Sequence, residues 1–304
     1  MGASVVVVGS VNTDVVAELE RFPRPGETLR AVEVRRNLGG KGANQAVAAR
    51  RVHDDVAFVG RVGGGPEGRA VRDEMAAHDV DVALLREVPD AATGTAFIQV
   101  AAGENTIVLD AGANDAWDGL DDGERRRVAD AAVVVCQMEI PSTVNAAVAE
   151  ACRGRLVVNA APARDVADVL PSCDPLVVNV HELAVLTDVV VDGPSQARSA
   201  AESLIDRGAL SVVVTLGAAG AVWVTAEAGG SVTPPEVEVV DSTGAGDAFV
   251  GVLAARLAVG DALPEAIRWA VAAGSLAVRT SGTHASYPAP AEIVALLDAI
   301  VSKS

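Results

Sequence analysis

Short, unbroken runs of valine and its apolar relatives, most of them followed by a helix-patterned stretch, constrain this chain more than any other feature. The runs are VVVV at 5–8, Val56–Val59, Ala132–Cys136, Leu156–Asn159, Leu176–Asn179 and Val212–Thr215. They are too short for buried helices, and they lack the polar alternation of a strand with one face in water. Helical patterns lie between them at Gly42–Arg51, Arg69–His78, Thr143–Cys152 and Gln196–Arg207. After Asp241 the pattern is helical throughout, at Ala245–Val259, Pro264–Val278 and Pro290–Val301. This alternation predicts a mostly parallel sheet covered on both faces, a three-layer α/β/α sandwich.

Two segments break the rhythm. Val15–Leu19 and Thr28–Val34 flank FPRPGE, and Gly94–Ala101 and Thr106–Asp110 flank AGEN. Each reads as a β-hairpin. Together they predict a small four-stranded sheet acting as a lid, built from 12–35 and 93–113. The α/β body then comprises 1–11, 36–92 and 114–304. A pocket under such a lid would lie at the carboxyl ends of the parallel strands, where ligands bind in this class.

Half of the 304 residues are apolar, but only 3% are aromatic, so the core must come from Ala, Val, Leu and Ile. The 24 basic and 41 acidic residues give a net charge of −17, which repels nucleic acid and anionic membranes. Lys41 and Lys303 are the only lysines. Acid excess with lysine depletion reads as adaptation to a salt-rich cytoplasm, since a GC-rich genome does not by itself explain the acids. No apolar run reaches the roughly 18–20 residues of a membrane span. The start, MGASVVVVGSVNTD, has no basic segment before its apolar run and reads as a core strand rather than a leader. Cys136, Cys152 and Cys173 lack paired spacing and fit a reducing compartment. The scattered histidines show no His pair at helical spacing, which argues against a zinc enzyme.

Four motifs carry polar chemistry. In DSTGAGDAF, Asp241–Phe249, the Gly244–Ala245–Gly246 run stands between an apparent strand, EVEVV, and a helix. It would bare backbone N–H groups at a helix start, an anion site. Asp247 follows in the first turn, where a carboxylate can take a proton from an attacking hydroxyl or, more blandly, serve as a helix cap. In LGGKGANQAVAA, Leu38–Ala49, Lys41, Asn44 and Gln45 can hydrogen-bond hydroxyls, and the rarity of lysine sets Lys41 apart from a solvated surface residue. In GSVNTD, Gly9–Asp14, Asn12 and Asp14 end the first strand; they suit sugar hydroxyls or an Asx-turn equally well. NVHE, Asn179–Glu182, offers an amide and a carboxylate to hydrated Mg²⁺ or phosphate. GGGPEG, Gly63–Gly68, is literally G-x-G-x-x-G, but its proline and the missing acid after the next strand argue against a dinucleotide site.

In this order, with FPRPGET, AGAN at 111–114, NAAPAR at 159–164 and TLGAAG at 215–220, the motifs resemble the ribokinase family of PfkB-type sugar kinases across nearly the whole chain. The resemblance implies a carbohydrate kinase that uses ATP with Mg²⁺ and is activated by K⁺. Asn12, Asp14, Gly40, Lys41, Asn44 and Glu139 would bind the sugar. Asp247 would be the base, with Gly244, Ala245 and Gly246 as anion hole. Asn179, Thr215, Gly217 and Gly220 would contact ATP, and Glu182 would order Mg²⁺ through water. Asp241, Thr243, Ala277, Thr280, Gly282 and Ser286 match the family's monovalent-cation loop. The lid sheet would form a homodimer. GGKGAN points to D-ribose as acceptor, with fructose, ketodeoxygluconate, deoxyribose and nucleosides as alternatives. A non-catalytic sugar sensor, a further alternative, would be expected to lack the base. The family usually carries an Asp where this chain has GGGPEG, with Glu67 its one acid.

Overall fold

A computed structural model describes residues 4–301. The elements run β1 Val5–Val8, β2 Asn12–Glu18, β3 Glu33–Gly39, α1 Lys41–Arg50, β4 Val56–Gly63, α2 Pro66–Ala77, β5 Asp81–Val88, β6 Gly94–Ala101, β7 Glu104–Asp110, α3 Asp122–Asp130 and β8 Val133–Gln137. They continue with α4 Ser142–Ala151, β9 Arg155–Asn159, β10 Cys173–Asn179, α5 Val180–Thr187, α6 Pro194–Asp206, β11 Ser211–Thr215, β12 Ala221–Thr225 and β13 Gly229–Val232. Three helices close the chain: α7 Ala245–Ala258, α8 Leu263–Ala277 and α9 Pro290–Val301.

A nine-stranded sheet has the order β13-β12-β11-β10-β9-β8-β1-β4-β5. From β11 to β5 neighbouring strands are parallel, while β12 and β13 are antiparallel additions at one edge. The valines of β1 are fully buried because both faces are covered. Val5 and Val7 enter one core with α1, α7 and α8; Val6 and Val8 enter the other with α3, α4 and α6. Each buried valine contributes about 1.5 kcal/mol or more, which is why this strand tolerates no polar alternation.

The second sheet has the order β3-β2-β6-β7, so the two hairpins pair through parallel β2 and β6. The first hairpin differs from the expectation. Its return strand is Glu33–Gly39 rather than Thr28–Val34, and 19–32 is a long connection. Burial sets this register: Leu38 is 1% exposed and Gly39 pairs with Asn12. EVEVV, Glu236–Val240, is not a strand either. It alternates like one, yet among the described residues no strand pairs with it, and Val239 and Val240 are exposed. GGGPEG does join a strand to a helix, but the residues before β6 pack against its glycines. A Cβ on Gly63 would lie 2.4 Å from the Thr93 nitrogen.

Candidate active site

The parallel strands end in a row of polar residues: Gln137 on β8, Asn159 on β9, Asn179 on β10 and Thr215 on β11. Beyond them α7 begins at Gly244, whose φ of 75° suits glycine in this left-handed turn. The Ala245 N–H is taken by Ser242 O at 3.3 Å. Gly246 and Asp247 keep first-turn N–H groups with no intrahelical acceptor, and the space beside Gly246 is open.

Asp247 is not a helix cap. It is buried, and its carboxylate turns inward: Asn44 Nδ2 donates to Oδ2 at 2.9 Å and Gln45 Nε2 donates to Oδ1 at 2.9 Å. Gln45 therefore does not face a ligand. It is fully buried and also joins Asn159 Oδ1 (3.0 Å) and Gln137 Nε2 (2.8 Å), so one amide chain fixes Asp247 to β8 and β9. Burial raises the Asp247 pKa above the usual carboxylate value, while Lys41 and the two amide donors oppose the rise.

The glycine pair before α1 allows two close approaches. Gly40, at φ 88°, starts the helix, and the Asp14 carboxylate occupies the space a Cβ on Gly39 would need. Lys41 is half-buried. Burial pulls its ammonium down, but the carboxylates of Asp247, Glu139 and Glu182 outweigh that and hold it above its ordinary value. Glu139 Oε2 accepts from Ser10 Oγ (2.6 Å) and Lys41 N (3.1 Å), which fixes its direction. Asn12 lies in β2, not in an Asx-turn, and its Oδ1 accepts from buried Asn114 Nδ2 at 2.8 Å. Asp14, also in β2, is pushed up to about 7 by burial and by the facing charges of Glu139 and Asp247.

A cavity of about 150 Å³ is lined by Lys41, Asn179, Glu182, Thr215, Gly244, Gly246 and Asp247, among others. Asn179 and Glu182 form a capping box on α5: Asn179 Oδ1 accepts from Glu182 N (2.9 Å), and Glu182 Oε2 accepts from Asn179 N (2.8 Å). Both still line the cavity. Burial raises the Glu182 carboxyl. Gly217 and Gly220 are not among the lining residues; they shape the turn into β12, where a Cβ on Gly220 would meet Val232 O at 2.0 Å. Asn12, Asp14, Asn44 and Glu139 gather around Lys41 and Asp247 outside this cavity.

Asp241 ties two loops together beside α7. Its Oδ1 accepts from Thr243 N (2.9 Å) and its Oδ2 from Gly282 N (3.0 Å). Burial pulls this carboxyl up, but those N–H donors hold it below the usual range, so it stays ionised. Ala277 is buried in the last turn of α8, Thr280 follows it, and Ser286 is buried with its hydroxyl on Thr283 O at 2.7 Å.

The geometry is that of a buried carboxylate between a cluster of polar side chains around Lys41 and the open start of α7. The family model for pfkB family carbohydrate kinases matches residues 3–290. The chain belongs to that family. It is 38% identical to the ribokinase of Mus musculus over 94% of this chain and 92% of the relative. It is 32% identical to the deoxyribokinase of Salmonella typhi, over 93% and 95%. A structure of Arabidopsis thaliana ribokinase complexed with ribose and ATP superposes with a TM-score of 0.92 at 32% identity, covering 98% of this chain and 99% of that one. Ser10 and Asn114 stand inside the motifs GSVNTD and AGAN but were not singled out there; Gln137 is a single polar residue in apolar surroundings, and its contact with Gln45 arises only where distant segments meet.

Proposed function

We propose that the chain transfers the γ-phosphoryl group of ATP to the primary hydroxyl of D-ribose, giving D-ribose 5-phosphate. The observation that carries this reading is Asp247: a buried carboxylate held by two amide donors, beside Lys41 and one residue past the Gly244–Gly246 turn. Asn12, Asp14, Gly40, Lys41, Asn44 and Glu139 hold the sugar. Asp247 takes the proton of the attacking hydroxyl. The N–H groups of Gly246 and Asp247, with the α7 dipole, take the charge developing on the transferred phosphoryl. Asn179 and Thr215, at the strand ends, contact the nucleotide, with Gly217 and Gly220 shaping the turn behind them. Because Asn179 Oδ1 is spent on the α5 cap, its Nδ2 is the group left to donate to phosphate.

Glu182 fits a hydrated Mg²⁺: it is a buried carboxylate lining the cavity with one oxygen committed to the Asn179 N–H. When bound, the ion supplies charge neutralisation on the phosphates. Asp241 fits a K⁺ site as an ionised hard oxygen donor, flanked by the Thr243, Ala277, Thr280, Gly282 and Ser286 segments. The outer face of the four-stranded sheet supports a homodimer. Val15, Phe97 and Val108 are cross-strand neighbours on the side opposite Asp14; Phe97 is 51% and Val108 68% exposed. Among the described residues no helix is long and apolar enough to cross a membrane, and a cytoplasmic enzyme adapted to high salt accords with the charge of −17.

The deoxyribokinase relative favours deoxyribose as second reading. The test is kcat/KM with ATP against ribose, deoxyribose, fructose, ketodeoxygluconate and nucleosides. Ribose is expected to lead, and a higher value for any other acceptor overturns the substrate. No phosphoryl transfer in a single turnover would favour a sugar sensor instead.

A further inference from the structure

Glu74 lies in the last turn of α2, and His78, four residues on, caps the helix just past Ala77. The short turn His284–Ser286 brings a second imidazole against them. One donor atom from each of Glu74, His78 and His284 lies within 4.8 Å of the others, and the two rings sit 5.2 Å apart, tilted by 60°. None of the three is used in the reaction proposed above.

The hydrogen bonds fix which nitrogen of His284 is free. Asn44 points its Nδ2 at Asp247, so its carbonyl oxygen faces His284 Nε2 at 2.8 Å. Only an N–H can satisfy that oxygen, so Nε2 carries the proton and Nδ1 keeps its lone pair. An imidazole steered by a carbonyl on one nitrogen, with the other bare, is the arrangement of a metal-ligating histidine. The charges facing the cluster are mixed. Glu74 and Asp79 favour a cation; Arg51, whose Nη2 donates to His284 O at 3.2 Å, and Arg50, which packs on Asp79, oppose one. A carboxylate with two imidazoles is also the donor set that zinc accepts in open sites, with water completing the shell.

We propose that Glu74, His78 and His284 form a binding site for one divalent transition ion of the zinc class, separate from the site for nucleotide-bound Mg²⁺. An ion on His284 Nδ1 makes the Nε2–H a stronger donor to Asn44. Asn44 is then held more firmly against Asp247, so the ion tunes the acceptor side from behind. This coupling to turnover rests on the role given to Asp247; the existence of the site does not.

The test is a titration of chelator-treated protein with Co²⁺, followed by visible absorption and then by displacement with Zn²⁺. One equivalent is expected to give a low-symmetry Co²⁺ spectrum without thiolate bands, and Zn²⁺ is expected to raise Tm. His78→Gln and Glu74→Gln should each weaken binding at least about tenfold, or about 1.4 kcal/mol, while matching the wild type in metal-free Tm and in basal kcat. If one variant is misfolded, the other carries the measurement. A wild type with no saturable Co²⁺ spectrum, or a spectrum that survives both substitutions, overturns the site. A site that binds Co²⁺ while Zn²⁺ leaves the sugar KM unmoved overturns only its coupling to Asn44.

Discussion

Replacing Asp247 by Asn exchanges one carboxylate oxygen for an amide in a place where both oxygens already accept hydrogen bonds. One of the two donors, Asn44 Nδ2 or Gln45 Nε2, then faces an NH2, which costs about 1–3 kcal/mol for the unmatched buried group, so the fold of the variant is verified before its rate is compared. The proposed base is lost, so kcat should fall by about 10²–10⁴ while ATP binding persists. Near-normal turnover in the folded variant would remove Asp247 from that role. Asp14 makes a different prediction. Its folded pKa is raised from 3.8 to about 7, so the stability linked to its protonated form is fully present below pH 3.8 and is lost as pH rises through 7. Asp14→Asn should therefore raise the Tm of the ligand-free protein at pH 8, by up to about 2–4 kcal/mol of stability, and hardly at pH 4. An equal gain at both pH values would contradict the assignment. Asp247, Lys41 and Asn44 were legible because glycines single them out in sequence. Gln45 was legible as a polar residue, but its inward turn was not, because its partners Gln137 and Asn159 lie 92 and 114 residues away.

Among the elements, the fully buried strands were the easiest to read, because burial on both faces leaves an unmistakable apolar run. β5, β12, β13 and α3 were not read. β5 lies at the sheet edge and mixes Asp, Arg and Glu among its apolar residues. α3, DGERRRVAD, has one well-buried apolar residue, Val128, and rests on the Asp121–Glu124 capping box. The return strand of the first hairpin was misplaced because its two arginines hide a strand held mainly by pairing. The second sheet predicts an assembly: Phe97→Lys and Val108→Lys should each turn a sedimenting dimer into a monomer without lowering Tm. A wild type that is already monomeric at micromolar concentration would dismiss the interface. The loops joined by Asp241 predict activation by K⁺ over Na⁺ at matched ionic strength. Equal rates with tetramethylammonium in place of K⁺ would count against that site.

For the molecule as a whole, charge is the dominant departure from an ordinary soluble enzyme. Many of the arginines are already in ion pairs, such as Arg155–Asp174 and Arg256–Asp261, yet the acids outnumber them. Exposed pairs are worth about 0–1 kcal/mol, so screening them costs little. At about 0.1 M salt, charges within about 10 Å still repel, and at about 1 M that range is near 3 Å. Tm should therefore climb as KCl rises from tenths molar to molar. A chaotropic salt at equal ionic strength separates screening from strengthened burial. A flat or falling curve would leave genome composition as the reason for the arginines.

The amide chain around Asp247 also sets a clock on synthesis. Asn44 and Asp247 are separated by 203 positions. A ribosome adding roughly 5–20 residues per second would deliver the carboxylate some 10–40 s after the amides that receive it. During that interval β1, β4 and α1 exist without α7, the helix that covers one side of α1 and carries the acceptor for both Asn44 and Gln45. Gln45 can meet Gln137 and Asn159 before then, but Asn44 Nδ2 lacks its acceptor in an apolar groove, a place that water or a chaperone must fill until the last fifth of the chain emerges. The segment that carries Asn44 and Gln45 is thus made early but completes its hydrogen bonds last.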